Sequence, residues 1–375
     1  MLIKNANILT MDNGKCYKKG FIKIINGKIA QVGEMQNAPT DDDNLIDAEG
    51  GFALPGFVDA HCHLGLFGDS IGFEGSDGNE ETTPLTPHLR AIDGIDTFDR
   101  CFEEARNSGV TTAVVSPGSS NVIGGQIAAI KTFGCCVDDM IIKAPCGIKC
   151  AFGENPKYTH SEKKQMPTTR MSTAALLREA LYNAKMQQKD TEEKVDFQTQ
   201  PILGLLNREL PLHAHAHRAD DILTAMRIGK EFDILVKIVH GTQGDKIADK
   251  LAEENIDVII GPIINSRNKP ELSGASMKTA AILQNAGVRV ALTTDHPEVP
   301  INFLLLSAQL AVKNGMSAEG ALRAITCDAA SVAGIDNYVG KIKNGLHADI
   351  LIFDKPPLDF NSNLILKIIS GQLIA

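Results

Sequence analysis

Eight short and almost wholly apolar segments alternate with helix-like segments through the middle of the chain, and this alternation limits the fold more than any other feature. Apolar runs of this kind predict strands buried on both faces of a parallel sheet, with helices as the crossovers between them. About eight such units fit a closed (β/α)8 barrel of the TIM type, in which the chemistry lies at the carboxyl ends of the strands. We assign this barrel to residues 54–343. The predicted strands are GFVDAHCHL, TTAVVSPG, QIAAIKTF, IIKAPCGIKCAF, LPLHAHAH, ILVKIVHG, DVIIGP and VRVALTTD.

The two ends of the chain share a different pattern. Residues 1–53 contain short strand-like runs separated by turns, and the pair Asn26-Gly27 between alternating apolar residues indicates a β-hairpin. Residues 344–375 repeat this pattern of short strands and turn residues. We therefore predict an α/β protein in which both ends combine into one small β-sandwich domain that the barrel interrupts.

Composition excludes several classes of function. A length of 375 residues suits one barrel with a small second domain. The net charge of -9 without a basic run argues against a nucleic-acid partner. No uninterrupted apolar stretch is long enough for a membrane span, and the first residues do not resemble a signal peptide. The eight scattered cysteines indicate reduced thiols, so we expect a cytoplasmic protein with a small-molecule substrate, and a homo-oligomer is compatible with the sequence.

Two long segments, 66–97 and 153–200, interrupt the alternation directly after predicted strands. Loops of this length are usually functional lids or disordered segments, and we expect both on the active face of the barrel. A Gly-rich segment at 117–126 lacks the spacing of a phosphate-binding loop, and we interpret it as a strand-end turn that contacts substrate.

The strongest local signal is the pair His61 and His63 in the segment LPGFVDAHCHLG. Side chains at positions i and i+2 of a strand point to the same face, so both imidazoles can bind one metal ion. A short motif of this kind is also found in loops without a metal. Its position directly after an apolar run, at the end of the first barrel strand, favours the metal site.

Three other strand ends carry polar side chains. The run Leu212-His213-Ala214-His215-Ala216-His217 places three imidazoles on one strand face, where they need partners if they are buried. We expect one of them to bind metal and another to meet substrate. His240 ends the segment ILVKIVHG, and Asp295 ends VRVALTTD. A single residue at a strand end is more often structural than catalytic, but four such ends on one side of a barrel predict an active site.

Lys149 lies inside the apolar segment GIKCAFGEN. Burial lowers the pKa of a lysine and makes its neutral, nucleophilic amine accessible. Such an amine can capture carbon dioxide and form a carbamate, an anionic ligand with two oxygens that can bridge two metal ions. The alternatives are an unmodified lysine that extends to the strand end, and Glu154, five residues further on, as the bridging carboxylate.

Taken together, the segments LPGFVDAHCHLG, GIKCAFGEN, LPLHAHAHRADDI, VHG, ALTTDHP and GKIKNGLHADILIFD resemble the amidohydrolase superfamily, and the resemblance covers essentially the whole chain. The segment around Lys149 is similar to the one that carries the carboxylated lysine in dinuclear members of that superfamily. The segments HAHAHRADDI and TTDHPEVP are similar to the imidazolonepropionase-like and prolidase-like branch. Imidazolonepropionase itself is mononuclear and lacks the lysine.

The resemblance implies a metal site with the ligands His61, His63, Lys149, His215, His240 and Asp295. One divalent ion would be held by the first two histidines with Asp295, and a second by His215 and His240. Carboxylated Lys149 would bridge them. We expect Zn²⁺, two ions per chain, or one if Lys149 is not a bridge. Asp295 would act as general base and then as general acid.

The resemblance also implies that three residues contact substrate: His217, Arg218 and His296. Arg218 would suit a carboxylate, although it could equally pair with a neighbouring aspartate. The first functional hypothesis is therefore a metal-dependent hydrolase of an amide or cyclic amide C–N bond in a small molecule. The second is a deaminase of an amidine-containing ring, and the third is a non-catalytic scaffold. The scaffold is disfavoured because every expected metal position carries a competent ligand.

Overall fold

The computed structural model describes residues 1–40, 44–68, 72–189 and 195–374, so parts of both long loop segments lie outside the described residues. The strands are β1 Leu2–Leu9, β2 Cys16–Ile25, β3 Lys28–Glu34, β4 Leu45–Asp47, β5 Phe52–Pro55, β6 Phe57–Cys62, β7 Val110–Val115, β8 Ile123–Lys131, β9 Ile141–Ala151, β10 Leu212–Ala216, β11 Val236–His240, β12 Val258–Ile260, β13 Val290–Leu292, β14 Ile350–Phe353, β15 Leu364–Ile369 and β16 Gln372–Ile374. The α-helices are α1 Arg100–Asn107, α2 Val137–Met140, α3 Glu154–Glu162, α4 Arg170–Lys189, α5 Gln200–Leu206, α6 Ala219–Phe232, α7 Ala248–Glu253, α8 Thr279–Asn285, α9 Leu304–Lys313, α10 Ala318–Ala324 and α11 Cys327–Val332. Among these described helices, none has the length and apolar character that a membrane span requires.

The central sheet has eight strands in the order β6 to β13, so each strand pairs with its neighbours in sequence. Each of the eight predicted barrel segments overlaps one of these strands. Most of the strands are buried along their whole length, which explains their apolar sequences. The mixed α/β fold with a nearly closed barrel sheet is therefore confirmed.

One strand departs from the uniform (β/α)8 pattern. Strand β8 runs antiparallel to both β7 and β9, whereas the other pairings in the barrel sheet are parallel. Only residues 116–122 connect β7 to β8. A parallel crossover needs a dozen residues or more, so this connection can form only a turn. The expectation of eight parallel units is wrong at this strand, and the Gly-rich turn reaches the same end of the barrel as the histidines.

Strands from both ends of the chain form the second sheet, in the order β16-β15-β14-β5-β1-β2-β3, with β4 paired to β1. The two ends meet where β14 pairs antiparallel with β5, through registers such as Ile350 with Pro55 and Phe353 with Phe52. The barrel therefore interrupts the small sheet domain in sequence, and strands from both sides of it share one sheet. The sandwich arrangement of this domain and the boundaries 1–53 plus 344–375 stay predictions.

A buried ion pair joins the barrel to the small sheet domain. Lys131 at the end of β8 contacts Asp349 just before β14, and the side chains are only 7% and 3% exposed. Burial lowers the pKa of Lys131, and the neighbouring Asp349 opposes this change. The Asp349 carboxylate also accepts a hydrogen bond from the Ser370 backbone N–H at 2.8 Å. This aspartate therefore links three separate parts of the chain.

We expect Asp349→Ala to lower the free energy of unfolding by about 3–5 kcal/mol, because Lys131 would remain as an uncompensated buried charge. Urea denaturation followed by circular dichroism measures this change. The control is Asp93→Ala, which breaks the exposed Arg90–Asp93 pair and should cost about 1 kcal/mol or less. Equal unfolding midpoints for the two variants would show that the buried pair does not hold the domains together.

Candidate active site

Polar side chains converge inside the barrel at the carboxyl ends of five strands. They come from β6, β9, β10, β11 and β13, or from the residues that directly follow them. Strand alternation explains the convergence, because residues two apart share the face that points into the barrel. All of them are at most 8% exposed: His61, His63, Lys149, His213, His215, His217, His240 and Asp295.

The first donor group consists of His61, His63 and Asp295. The Oδ1 atom of Asp295 lies 3.5 Å from Nε2 of each histidine. The Nδ1–H of His63 donates to the Ser116 carbonyl at 2.7 Å, which leaves Nε2 with its lone pair. Asp295 Oδ1 finds no hydrogen-bond partner among the described residues. The contact with Ser116 thus directs the Nε2 lone pair of His63 towards the Asp295 carboxylate.

A hydrogen-bonded seam between the first and last barrel strands holds this group in place. The buried Asp59 carboxylate accepts hydrogen bonds from the Thr294 hydroxyl at 2.5 Å and from the His61 backbone N–H at 3.2 Å. The Thr293 hydroxyl donates to the His61 carbonyl and accepts the Asp295 N–H at 2.9 Å. Burial raises the pKa of Asp59 to about 6, although these hydrogen bonds oppose the change. The same contacts that close the barrel therefore orient the ligands.

The second donor group consists of His215, His217 and His240. Their ring centroids are 4.5–4.7 Å apart. Each Nδ1 contacts a protein oxygen. That of His215 contacts the Ser119 hydroxyl at 3.0 Å, that of His217 the Thr242 hydroxyl at 2.7 Å, and that of His240 the Gly261 carbonyl at 2.7 Å. These contacts leave the Nε2 atoms to point towards a shared centre.

The backbone is strained at one residue of each group. His240 has φ of 74° and Asp295 has φ of 54°, a region that non-glycine residues rarely adopt. Such conformations persist where the surrounding structure enforces them, and they cluster at functional sites. The seam enforces the conformation at Asp295, and the Nδ1 contact of His240 fixes its ring.

Lys149 lies between the two groups. It is fully buried, and its Nζ atom is 3.2 Å from His61 Nε2. Burial lowers the pKa of Lys149 to about 8, with the Asp295 charge opposing the change. Burial is the main cause that lowers the pKa of His61 in one group and of His215 in the other. The Lys149 charge is a further cause for both histidines. One lysine thus acts electrostatically on both groups.

The protonation states fit a divalent metal site. Burial lowers the pKa of His217 to about 4, and it holds the pKa of His240 well below the ordinary value. Burial would raise the pKa of Asp295, but His240, His63 and Lys149 outweigh it and lower the value to about 2. Neutral imidazoles and an ionised carboxylate are the forms that bind metal. The donor atoms of each group also lie within 4.8 Å of one another.

A cavity of about 400 Å³ opens above the donor groups. His63, His215, His217 and Asp295 form part of its wall, and the loops after the strands supply the rest. The wall is rich in small polar residues from those loops, including Asn79, Ser119, Ser120, Asn155, Asn265 and Asn268. Lys269 is the one Lys or Arg side chain among the wall residues that the structure describes, and its Nζ contacts Asn155 Oδ1 at 3.3 Å.

The structure brings together all six predicted metal ligands. Of the three predicted substrate contacts, only one lies in the cavity wall as described. His217 lines the cavity and joins the second donor group. Arg218 pairs with Asp220 at 2.9 Å and is not among the described wall residues. His296 is 5% exposed and likewise absent from that wall, and its carbonyl accepts the His63 N–H. Glu154 is in neither donor group as described.

Sequence reasoning missed three functional features. The Gly-rich turn was expected to contact substrate; Ser119 within it lines the cavity and also contacts His215, a contact that the sequence did not indicate. Asp59 directly precedes the histidine pair, and this position could have marked it as a supporting residue. Lys269 and the buried Glu271 lie in the loop after β12, where no motif pointed to them.

A nearly closed barrel with buried histidine and aspartate donors at the carboxyl ends of its strands defines a barrel metallohydrolase. The chain matches the amidohydrolase family over residues 52–373 and belongs to that family. It is a metal-dependent enzyme that hydrolyses C–N bonds, as the sequence predicted.

Individual relatives agree with this assignment. An imidazolonepropionase from Psychromonas ingrahamii is 25% identical over 426 residues, which cover 100% of this chain and 99% of that protein. The amidohydrolase tasK from Hapsidospora irregularis is 25% identical over 90% of this chain, and the match spans only 38% of that protein's length. The crystal structure of an amidohydrolase from Thermotoga maritima MSB8 is 39% identical, with a TM-score of 0.95, and the match covers 100% of this chain and 99% of that one.

We expect His61→Ala to lower the bound metal to about half of the wild-type content or less, because an imidazole is a direct ligand. Metal analysis by inductively coupled plasma mass spectrometry measures the content of dialysed protein. Arg218→Ala is the matched control, since its guanidinium pairs outside the cavity, and it should retain all of the metal. Equal contents in the two variants would remove His61 from the ligand set.

Proposed function

We propose that this protein hydrolyses an amide or cyclic amide C–N bond in a small molecule that carries a carboxylate. The observation that carries the proposal is the pair of buried donor groups with Lys149 between them, placed at the floor of the cavity. An amide carbon must be attacked by hydroxide near an ionised general base, and this floor presents Asp295 directly to the cavity.

The donor groups would hold two divalent ions, with Zn²⁺ as the proposed metal. His61, His63 and Asp295 would bind one, and His215 with His240 would bind the other. Bound ions would lower the pKa of a water molecule and polarise the carbonyl that it attacks. The Nδ1 contacts of the histidines fix the tautomer and the ring orientation, so little reorganisation is needed during the reaction.

Asp295 would move the proton. The low pKa of this carboxylate keeps it ionised at neutral pH, and its Oδ1 atom has no donor among the described residues. It would accept the proton of the attacking water and return it to the leaving nitrogen. The left-handed backbone at Asp295 and the hydrogen bond from its N–H to Thr293 hold the carboxylate towards the cavity.

Lys149 would be carboxylated and would bridge the two ions. A buried ammonium beside two dications would be strongly repelled, whereas a carbamate supplies a negative charge at the same place. The lysine emerges from the centre of a fully buried stretch of β9, is itself fully buried and contacts His61. The lowered pKa makes its neutral amine accessible to carbon dioxide.

Lys269 is the residue that favours a carboxylate on the substrate. It is half-buried at the cavity wall, and within the described chain no aspartate or glutamate forms a salt bridge with it. Because the cavity has no other Lys or Arg in its described wall, an anionic group of the substrate would lie at Lys269. Arg218, which the sequence suggested for this role, is engaged with Asp220.

The zinc-loaded enzyme should turn over N-acyl amino acids, dipeptides or cyclic ureides, and carboxylate-bearing members should have a higher kcat/KM than their neutral amides. In Asp295→Asn, kcat should fall by about 10²–10⁴-fold, because the amide cannot accept the proton. Chromatography measures the rate at which the hydrolysis products form, and a parallel assay measures released ammonia. Release of ammonia from an amidine ring as the main activity would favour the deaminase instead. A panel with no turnover, or an unchanged kcat in Asp295→Asn, would contradict the proposal.

A cytoplasmic location is a further part of the proposal. All eight cysteines are free thiols, which supports a reducing and hence cytoplasmic environment. A homo-oligomer remains compatible with the chain.

Wild-type protein prepared with ¹³C-bicarbonate and zinc should show a carbamate carbon signal in its NMR spectrum, and Lys149→Ala should lack it. The variant should also lose metal, because the bridging anion is missing. A short carboxylic acid in the buffer should restore part of the activity by occupying the vacated position. Full metal content and activity in Lys149→Ala would rule out the bridge.

A further inference from the structure

Glu271 is a buried carboxylate that the proposed function does not yet use. It lies in the short 3₁₀ helix Pro270–Leu272, in the loop after β12, and is 2% exposed. Its Oε2 atom accepts the backbone N–H of Glu154 at 3.0 Å, at the start of α3. Its Oε1 atom has no hydrogen-bond partner in the described chain, and no lysine or arginine there forms a salt bridge with it. A buried carboxylate oxygen without a hydrogen-bond partner needs a physical explanation.

The chain around Glu271 holds the carboxylate in one orientation. Gly153 has φ of 86°, and a Cβ atom at this position would lie 2.5 Å from Glu271 Oε2. The glycine therefore makes room for the carboxylate against the first turn of α3. The positive end of that helix stabilises the anion at Oε2. This arrangement fixes one oxygen and leaves the other free to face the barrel.

The free oxygen faces two histidines of the second donor group. Oε1 lies 3.7 Å from His217 Nε2 and 3.8 Å from His215 Nε2. These distances are too long for hydrogen bonds. They match the first donor group, in which Asp295 Oδ1 lies 3.5 Å from both histidines. Ligands bound at 2.0–2.1 Å in a tetrahedral arrangement are about 3.4 Å apart, so both sets of distances suit atoms around one ion.

We propose that Glu271 is a direct ligand of the second divalent ion, together with His215 and His217, the two histidines that its Oε1 atom faces. The histidines are neutral ligands, so Glu271 would give the second ion a carboxylate of its own, as Asp295 does in the first group, beside the carbamate proposed at Lys149. His217 becomes a ligand under this assignment, rather than the substrate contact that the sequence suggested. The assignment rests on the proposed function only in requiring that the donor groups bind metal.

The test compares Glu271→Gln with wild-type protein in zinc binding. The glutamine keeps the shape but removes the charge, so one of the two ions should be lost or bound at least about tenfold more weakly in competition with a chelator. In the cobalt-substituted protein, the visible absorption of that ion should change. Asp221→Asn is the matched control, because Asp221 is also buried beside Gly153 but pairs with Arg170 at 3.0 Å. It should bind both ions as the wild type does.

Thermal unfolding in excess chelator shows whether each metal-free variant is folded. A crystal structure of the zinc-loaded wild type provides a second measurement that needs no variant. A Glu271 oxygen within about 2.2 Å of an ion would support the assignment, and a distance beyond about 3 Å would overturn it. Wild-type zinc binding in Glu271→Gln would also overturn it and leave the proposed function intact. A wild-type protein that binds no divalent ion would overturn both.

Discussion

The buried carboxylate of Asp59 is the contact on which the active site depends. It joins the first barrel strand to the segment after the last one, through Thr294 on one side and the His61 N–H on the other. The described sheet contains no ladder between β6 and β13. Asp59 therefore joins the two strand ends together with the Thr293 hydroxyl, which donates to the His61 carbonyl, and one backbone hydrogen bond from His63 to the His296 carbonyl. Because His61 and Asp295 flank this link, closing the barrel and assembling the first donor group are one structural event.

Both donor groups follow the same physical scheme. A protein oxygen contacts Nδ1 of four of the histidines, as Ser116 does for His63 and Gly261 does for His240. Their Nε2 atoms then face the other donor atoms of the same group. Buried acceptors that face one another without a donor destabilise a fold. A divalent cation reverses this cost, because each lone pair then has a ligand bond. The metal-free barrel is therefore expected to be the less stable form, with the cost concentrated at the catalytic centre.

The barrel and the histidines and aspartate that converge in it could be predicted because both depend on local patterns. Apolar runs marked every barrel strand, and a histidine or aspartate at a strand end is visible without knowledge of the fold. The antiparallel direction of β8 depends on the length of one connection, which the pattern of apolar residues does not report. Glu271 could not be predicted, because its role depends on contact with α3 and with β10, both distant in sequence. Arg218 pairs with Asp220, two residues further on, which is the alternative that the sequence also allowed.

The loop after β12 carries both residues that we propose for these roles, Lys269 for substrate and Glu271 for metal. Lys269 points to the cavity wall, and Glu271, two residues further on, faces the second donor group. Glu271 in turn rests on the start of α3, which belongs to the long insertion after β9. A change in the insertion that shifts α3 would therefore move the carboxylate near the metal and the lysine near the substrate together. The first donor group is instead held by the barrel seam and by the contact of His63 with Ser116, which directly follows β7.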